Sequence, residues 1–466
     1  MKMTQKLFSV IVIVCSLCLL DLPQARAVNV AFDIKNMIDM SDFDPNNPVV
    51  PTGDTIKIAV VASFSGPAAL IGQVYWVCVQ WVAHDVNKRG GILVDGKRKL
   101  VQVIKADHQS KPEVCKKVCE RMVLKEKVHV LWGTNGSHLM KVINQVADKY
   151  KVIALCAGSL TDELYNAENF TRYSFNTSFS PEQIGRAFAY FYGQIRKKEK
   201  RFYIICQDYL FGHEVAEGFK KGLKEYYPQA KIVGEDYHRL FLTDFAPYLT
   251  KIKASKAEVI FTGDWIPDAA NLLKQARQMG IKLPFANIFL NEPNLLHEVG
   301  VEGTKGLVNI SQFGTEAPVF KTPEQIKYYK AWHDLWLAGK WGPPFNTRLF
   351  EHGGGGNLSS YRAQTYWLLS VIQRAGSTNA DKIIKVFEGD SCEIVGSKIM
   401  EMRACDHKVI QDLHVQIFVP PAEQRHYFNI PPYYAFKGCS GVGISYRIPK
   451  EKILPKADPR LCNRQR

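Results

Sequence analysis

The sequence predicts an α/β protein of two Rossmann-like lobes, each built on a central and mostly parallel sheet. Short apolar runs of β type alternate with helical patterns along most of the chain, which is typical of βαβ units. The alternation forms two similar series, separated by an extended segment at 173–180 that is rich in Ser, Thr and Asn. A chain of 466 residues is also too long for one hydrophobic core. Two lobes joined by chain crossings predict a ligand cleft between them.

The first series opens with the strand pattern at 56–64, which breaks at Ser65-Gly66-Pro67 before a long amphipathic helix. We expect its strands at 56–64, 99–107, 128–133 and 152–157, and its helices at 69–88, 112–125 and 137–150. The second series should have strands at 202–207, 231–236, 259–263 and 285–290, and helices at 181–197, 212–226, 246–253 and 267–279. A strand at 306–313 leads back to the first lobe, which helices at 323–338, 361–374 and 380–388 complete. Beyond 391 the pattern is irregular, with a strand at 413–419 and a tail rich in Pro and Tyr.

The first 27 residues read as a cleavable signal peptide, so we expect export to the periplasm. Lys2 and Lys6 precede an apolar run of 14 residues, and Ala25-Arg26-Ala27 supplies a cleavage site. The run is short for a membrane anchor, which is the alternative interpretation. The predicted organisation is a signal peptide at 1–27, an N-terminal arm on the surface at 28–53, the first lobe at 54–177 and 311–398, the second lobe at 178–310 and, with a crossing, at 399–440, and a tail at 441–466.

The formal net charge of +15 is dispersed along the chain. The longest basic cluster, at 196–201, lies between a helical and a strand pattern and is interpreted as a solvated connector. A nucleic-acid surface would need clustered basic and aromatic residues, so we expect no nucleic-acid partner. The histidines do not cluster at metal-ligand spacing, so we expect no metal and no cofactor. We expect the protein to be a monomer.

Eleven cysteines include two within the signal peptide, and the odd number that remains leaves at least one thiol unpaired. The apolar patterns around three of them predict buried thiols, at Cys78, Cys156 and Cys206. Cys115 and Cys119 share a helix face at a separation longer than a relaxed disulfide prefers. The better disulfide candidates close loops in the C-terminal region and are Cys392 with Cys405, and Cys439 with Cys462.

Signatures of catalysis are missing from the sequence, so we expect no enzyme. The segment at 91–98 imitates a phosphate-binding loop, but Arg98 replaces the required Ser or Thr and the segment follows a helix. It is interpreted as a turn between helix and strand. Asp406-His407 is the one local acid–base pair, and a structural hydrogen bond in a lobe crossing is the favoured explanation.

Five segments in order resemble the type I periplasmic binding proteins for branched-chain amino acids. They are IAVVASFSGP at 58–67 with Gly72, NKRGGI at 87–92, VLWG at 130–133 with Ser137, DYLFG at 208–212 and QARQMG at 275–280. The resemblance covers about 55–419 and implies two lobes joined by three crossings. It implies capture of a small solute, amino acid-like, amide or aromatic acid, for the permease of an ABC importer. The alternative is a ligand-binding sensory module that serves a separate membrane receptor.

The resemblance also implies a ligand site in the first lobe. Ser137 occupies the place of the serine that binds a ligand carboxylate, and helix capping is its other possible role. Gly158, Ser159 and Leu160 lie in the loop that supplies further contacts, with Leu160 where amino-acid binders usually have Thr. Ser65 is expected to line the wall of this lobe.

In the second lobe, Phe211 takes the position of a ligand-facing tyrosine, and Trp265 follows a strand end where an aromatic is usual. Core packing is the alternative for both. Glu292 is the candidate partner for a ligand ammonium, with Asn291 as the alternative. The aromatic residues predict a ligand with a substantial apolar or aromatic body.

Overall fold

The computed structural model describes residues 38–312, 323–351, 356–393, 399–423 and 440–462. The predicted signal peptide, the first ten residues of the arm and Cys439 lie outside these described residues. None of the described helices is both long and apolar enough to span a bilayer.

The first lobe is built on a five-stranded parallel sheet in the order β4-β1-β5-β6-β7. Its strands are β1 (Ile56–Ala62), β4 (Val101–Asp107), β5 (Val130–Gly133), β6 (Ile153–Cys156) and β7 (Ser174–Asn176), and a separate hairpin joins β2 (Ile92–Val94) to β3 (Lys97–Lys99). The helices are α1 (Ala69–Lys88), α2 (Pro112–Leu124) and α3 (Ser137–Tyr150). The central strands are apolar throughout because helices cover both faces of a parallel sheet.

The β2–β3 hairpin corrects the prediction of a simple turn at 91–98. Val94 pairs with Lys97, so Asp95-Gly96 is a two-residue loop, and both residues have positive φ, 52° and 74°. A type I′ turn requires this conformation at both positions, and Asp-Gly is one of its preferred sequences.

The second lobe has a seven-stranded sheet in the order β17-β16-β12-β11-β10-β8-β9. Its five parallel strands are β8 (Arg201–Gln207), β9 (Lys231–His238), β10 (Val259–Phe261), β11 (Phe285–Asn287) and β12 (Val308–Ser311). The helices are α4 (Pro181–Tyr190), which continues as a π-helical segment at Phe191–Arg196, α5 (Leu210–Tyr226), α6 (Ala246–Ala254), α7 (Asp268–Gln278) and α8 (Pro293–Thr304).

The chain then returns to the first lobe and crosses once more. The returning helices are α9 (Pro323–Leu337), α10 (Gly356–Ala375), which packs along α1, and α11 (Ala380–Phe387). A small antiparallel sheet follows, made of β13 (Ser391–Glu393), β14 (Ile399–Met402) and β15 (Val409–Ile410). The chain ends on the second lobe with the antiparallel strands β16 (Leu413–Val419) and β17 (Gly441–Ile448), then the short helices α12 (Lys450–Ile453) and α13 (Pro459–Cys462). This architecture confirms the predicted two-lobed α/β fold.

Hydrogen bonds connect the three crossings to one another. The backbone N–H of Asn176 in the first crossing donates to the carbonyl of His407 in the third, over 2.9 Å. Gln312 in the second crossing donates to the carbonyl of Thr177 over 3.0 Å. The His407 ring stacks on Phe175 with centroids 4.0 Å apart and lies 2.9 Å from the carbonyl of Ser174. His407 therefore has the structural role predicted for it.

The arm is more deeply anchored than the prediction of a surface segment implied. Phe43 is 3% exposed and packs edge-on against Trp81 and Trp341, with ring centroids 5.1 and 5.8 Å away. The indole of Trp341 donates to the carbonyl of Phe43 over 3.2 Å, and Met40 is also buried. The described part of the arm thus contributes to the core of the first lobe.

Among the described residues, a disulfide joins Cys405 to Cys462, with Cα atoms 4.9 Å apart. Both predicted pairs are wrong, because each would use one of these two cysteines. The partners are brought together by the return of the tail to the third crossing, which sequence spacing does not reveal.

Candidate functional site

A buried polar cluster lies at the carboxyl ends of β1, β4 and β5. His108 Nε2 lies 2.6 Å from Thr134 Oγ1, and the backbone N–H of Ser110 donates to His108 Nδ1 over 3.1 Å. Since Nδ1 accepts, Nε2 carries the proton and the ring is neutral. Burial lowers the pKa of His108 to about 4. The cluster places a fixed set of donors and acceptors at this edge of the sheet.

Ser137 is the first residue of α3 and is 2% exposed. The residue before it, Gly136, is the N-cap, and the Ser137 side chain makes no capping hydrogen bond. Its Oγ has no hydrogen-bond partner among the described atoms. Capping, the alternative role considered for this serine, is not what the structure shows.

The loop after β6 lies beside the end of β5, because the N–H of Ala157 donates to the carbonyl of Gly133 over 2.8 Å. A Cβ on Gly158 would lie 2.0 Å from Tyr75 Oη, so only glycine fits there. Ser159 is 1% exposed, and its Oγ also lacks a partner among the described atoms. Leu160 is buried in the apolar cluster of the second lobe, which brings the two lobes into contact.

Phe211 and Trp265 belong to the same apolar cluster as Leu160. The Trp265 indole donates to Tyr209 Oη over 2.8 Å and meets Phe241 edge-on at 5.7 Å. Phe211 lies at the start of α5 and is 2% exposed. These rings form the aromatic wall of the second lobe.

Two buried carboxylates support the aromatic wall. Asp264, next to Trp265, lies 2.8 Å from His238 Nε2, and both side chains are fully buried. Asp268 accepts hydrogen bonds from Gln207 Nε2 at 2.7 Å and from the backbone N–H of Phe241 at 2.8 Å. Burial raises the pKa of both carboxyl groups. These contacts hold the segments that carry Trp265 and Phe241.

A second aromatic group, in the first lobe, was missed in the sequence. Tyr75 of α1 meets Tyr361 of α10 and Trp132 of β5 edge-on, with centroids 4.8 and 5.2 Å away. Burial raises the pKa of Tyr75 well above its ordinary value, and Tyr209 of the second lobe contributes to the rise. The hydroxyl of Tyr75 lies next to Gly158, where an added Cβ would come within 2.0 Å of it. Its position on the buried face of α1 looks like ordinary core in the sequence.

Glu214 of α5, also missed, reaches across to the first lobe. Its Oε1 accepts the backbone N–H groups of Asp162 at 3.0 Å and Glu163 at 2.8 Å. Burial first, and then the charge of Asp162, raise its pKa. The loop at 157–168, which we call the ligand loop after the contacts that the resemblance assigns to it, is thus held by the opposite lobe.

Ser65 and Glu292 make other contacts. Ser65 is exposed, and its hydroxyl donates to Asp107 Oδ2 over 2.7 Å. Glu292 caps α8, where its oxygens accept the N–H groups of Asn294 at 2.9 Å and Leu295 at 2.8 Å. The structure therefore places Leu160, Phe211 and Trp265 in one apolar cluster, whereas Ser65 and Glu292 have local partners. Ser137 and Ser159 lie in the segments that follow the neighbouring strands β5 and β6. Within the described residues, no group of three His, Cys, Asp or Glu side chains could hold a metal ion.

Comparisons with known proteins agree with this architecture. Residues 55–418 match the periplasmic binding protein family. The Leu/Ile/Val-binding protein homolog 4 of Brucella abortus is 26% identical over 276 residues, 57% of this chain and 64% of that protein. The Leu/Ile/Val-binding protein of Escherichia coli is 23% identical over 50% of this chain and 60% of its own length. The chain thus spans less than two thirds of these curated relatives.

Solved structures share the fold at low identity. The closed leucine-, isoleucine-, valine-, threonine- and alanine-binding protein of Brucella ovis superposes with a TM-score of 0.69 at 20% identity, covering 87% of this chain and 98% of that one. A solute-binding protein of Rhodopseudomonas palustris in complex with 3,4-dihydroxybenzoic acid gives 0.69 at 17% identity, covering 85% and 98%. With a family match over more than half of its residues and a fold that agrees, this chain belongs to the periplasmic binding protein family, in its type I form.

Proposed function

We propose that the protein captures a small solute between its lobes and delivers it to the permease of an ABC importer. The proposed solute is amino acid-like, an amide or an aromatic acid. One observation carries the proposal: the hydroxyls of Ser137 and Ser159 are buried without partners among the described atoms, in the segments that follow two neighbouring strands.

A buried hydroxyl without a partner costs about 1–3 kcal/mol, so a structure that retains two of them after neighbouring strands needs a reason. Ligand oxygens accepting from both hydroxyls would supply it. The N-terminus of α3, where Ser137 lies, favours a negative or partly negative group. The carboxyl ends of parallel strands are also where ligands bind in open α/β sheets.

The aromatic walls support an apolar or aromatic body for the solute. Tyr75 and Tyr361 in the first lobe and Trp265 and Phe211 in the second present large apolar surfaces with few polar groups. Leu160 adds an aliphatic side chain where a hydroxyl is usual in amino-acid binders. The names of the relatives, Leu/Ile/Val-binding proteins and a dihydroxybenzoate complex, belong to the same solute classes. For an ammonium-bearing solute, Glu292 remains the proposed partner and would have to give up its helix cap.

Delivery to a permease places the protein in the periplasm, after removal of the signal peptide at 1–27. The proposed working form is a monomer that closes around its ligand.

Thermal unfolding of the mature protein tests the proposal. The panel should contain branched-chain and aromatic amino acids, aromatic carboxylates and short amides. A ligand at 100 times its Kd adds about 2.7 kcal/mol of stability, a shift of several degrees. A selective shift within one class supports solute capture, and no shift with any panel compound contradicts it.

A further inference from the structure

The end of the chain forms a strap, residues 449–462, which begins on the second lobe. Ile453 is fully buried in the apolar cluster of that lobe. The carbonyl of Lys452 accepts the hydroxyl of Tyr226 from α5, and the N–H of Lys450 donates to Asp412 over 2.8 Å. The first half of the strap is therefore fixed to the second lobe.

The middle and the last residue of the strap are attached to the third crossing. Arg403 donates to the carbonyl of Pro455 over 3.1 Å. Cys462 is linked to Cys405 by the disulfide. The strap consequently has a covalent anchor at the third crossing, which we call the hinge.

Between these two anchors the strap contacts the ligand loop of the first lobe. Asp458 Oδ2 accepts the backbone N–H of Ala167 over 3.1 Å. Arg460 binds the carboxylate of Glu168 with both terminal nitrogens. Asp458 also accepts from Arg460, so the two strap residues act as one unit.

The same loop is held from two other directions. Glu214 accepts the N–H groups of Asp162 and Glu163, and Lys408 of the third crossing pairs with Asp162 over 3.1 Å. The backbone at 162–167 thus depends on the second lobe, the hinge and the strap. Gly158 and Ser159 lie only a few residues before this segment.

We propose that the strap is a positioning device: anchored by Cys405–Cys462, it holds the ligand loop in the conformation in which Ser159 meets the ligand. Its effect on affinity rests on the proposed function. The family match ends at residue 418, so the strap lies outside the matched residues. Asp458 and Arg460 are positioning residues, because they act through the loop without touching the ligand.

Hydrogen exchange of the ligand-free mature protein tests the strap without any ligand. In the variant C405A/C462A we expect the amides of Asp162, Glu163 and Ala167 to exchange ~10-fold faster, because the strap end is released and the loop opens more often. D458A, with the disulfide intact, should accelerate the amide of Ala167 and serves if the cysteine variant does not fold. E168A removes the partner of Arg460 and should also accelerate the amide of Ala167. Its matched control is E120A, which removes a pair with Lys149 at 3.1 Å elsewhere in the first lobe and should leave this amide unchanged. Unchanged exchange at these amides in both C405A/C462A and D458A would overturn the proposal.

Affinity is the second readout, measured with the compound that stabilises the wild type. If the loop spends about a tenth of its time in the binding conformation, Kd should rise ~10-fold in C405A/C462A. D458A should raise Kd in the same direction, and D458E, which keeps a carboxylate, should stay closer to the wild-type Kd. Faster loop exchange with an unchanged Kd would refute the link between strap and ligand. If no panel compound binds the wild type, the proposed function fails, while the exchange result still decides whether the strap holds the loop.

Discussion

The neutral state of His108 predicts a pH dependence of stability. Its ring lies between the Thr134 hydroxyl and the Ser110 N–H, so a second proton would face a backbone donor. Burial lowers its pKa from 6.5 to about 4 in the folded protein. The unfolded chain therefore takes up a proton first as the pH falls, and protonation favours unfolding. The contribution of neutral His108 to the free energy of unfolding is fully present above pH 6.5 and is lost as the pH falls towards 4.

The magnitude follows from the two pKa values. Each pKa unit corresponds to 1.36 kcal/mol, so the difference between 6.5 and about 4 amounts to about 3 kcal/mol. Substitution H108Q removes the titration and keeps an amide that can donate to Thr134. Between pH 6.5 and pH 4, the wild type should lose about 3 kcal/mol more of its free energy of unfolding than H108Q does.

Urea unfolding of both proteins at half-unit pH intervals from 4 to 7.5 measures this difference. His213 is 48% exposed on α5, so H213Q is the control and should follow the wild-type curve. Parallel curves for the wild type and H108Q would refute the neutral, single-tautomer assignment.

Three further predictions concern the site and the arm. S137A and S159A should each weaken the binding of the panel ligand by about 1 kcal/mol, roughly five-fold, in calorimetric titrations. The control is S440A, which should leave Kd unchanged because the buried Ser440 hydroxyl already donates to the carbonyl of Val301. G158A places a Cβ 2.0 Å from Tyr75 Oη and should lower the free energy of unfolding in urea by about 1–3 kcal/mol. G342A is the control and should leave the stability unchanged, because its Cβ would meet only Asn46, at 3.4 Å. F43A should cost about 3 kcal/mol, because the arm loses its aromatic anchor, while V49A, at a residue 76% exposed, should stay within ~0.5 kcal/mol of the wild type. A stable F43A would show that the arm contributes no core.

The elements of regular structure could be predicted because their signals are local. Helices α1 and α3 have the predicted bounds, and β1 ends two residues before the predicted 56–64. Buried parallel strands appear as continuous apolar runs, and the helices that cover them show a 3.6-residue period. At α4, Ser180 and Gln183 form a capping box with Pro181 at the first helical position, so the helix start is specified within four residues.

The features that were mispredicted or missed depend on distant residues. Glu214 meets Asp162 across 52 positions, and Cys405 meets Cys462 across 57. Neither pair has a local signal, because the meeting depends on how the lobes and the tail pack. The β2–β3 hairpin differs, since its Asp-Gly turn was visible in the sequence, but the segment was interpreted as a simple turn between helix and strand.

Ser137 and Glu292 occupy similar positions in the chain but differ in the hydrogen bonds that their side chains make. Both follow strand ends and both lie at a helix start, so sequence reasoning treats them alike. Glu292 uses its carboxylate on the backbone of α8, and a ligand ammonium would have to compete with two hydrogen bonds already formed. Ser137 leaves the start of α3 to Gly136 and keeps a buried hydroxyl without a described partner. Because an unsatisfied buried group costs free energy that a ligand can recover, Ser137 is the stronger candidate for the two.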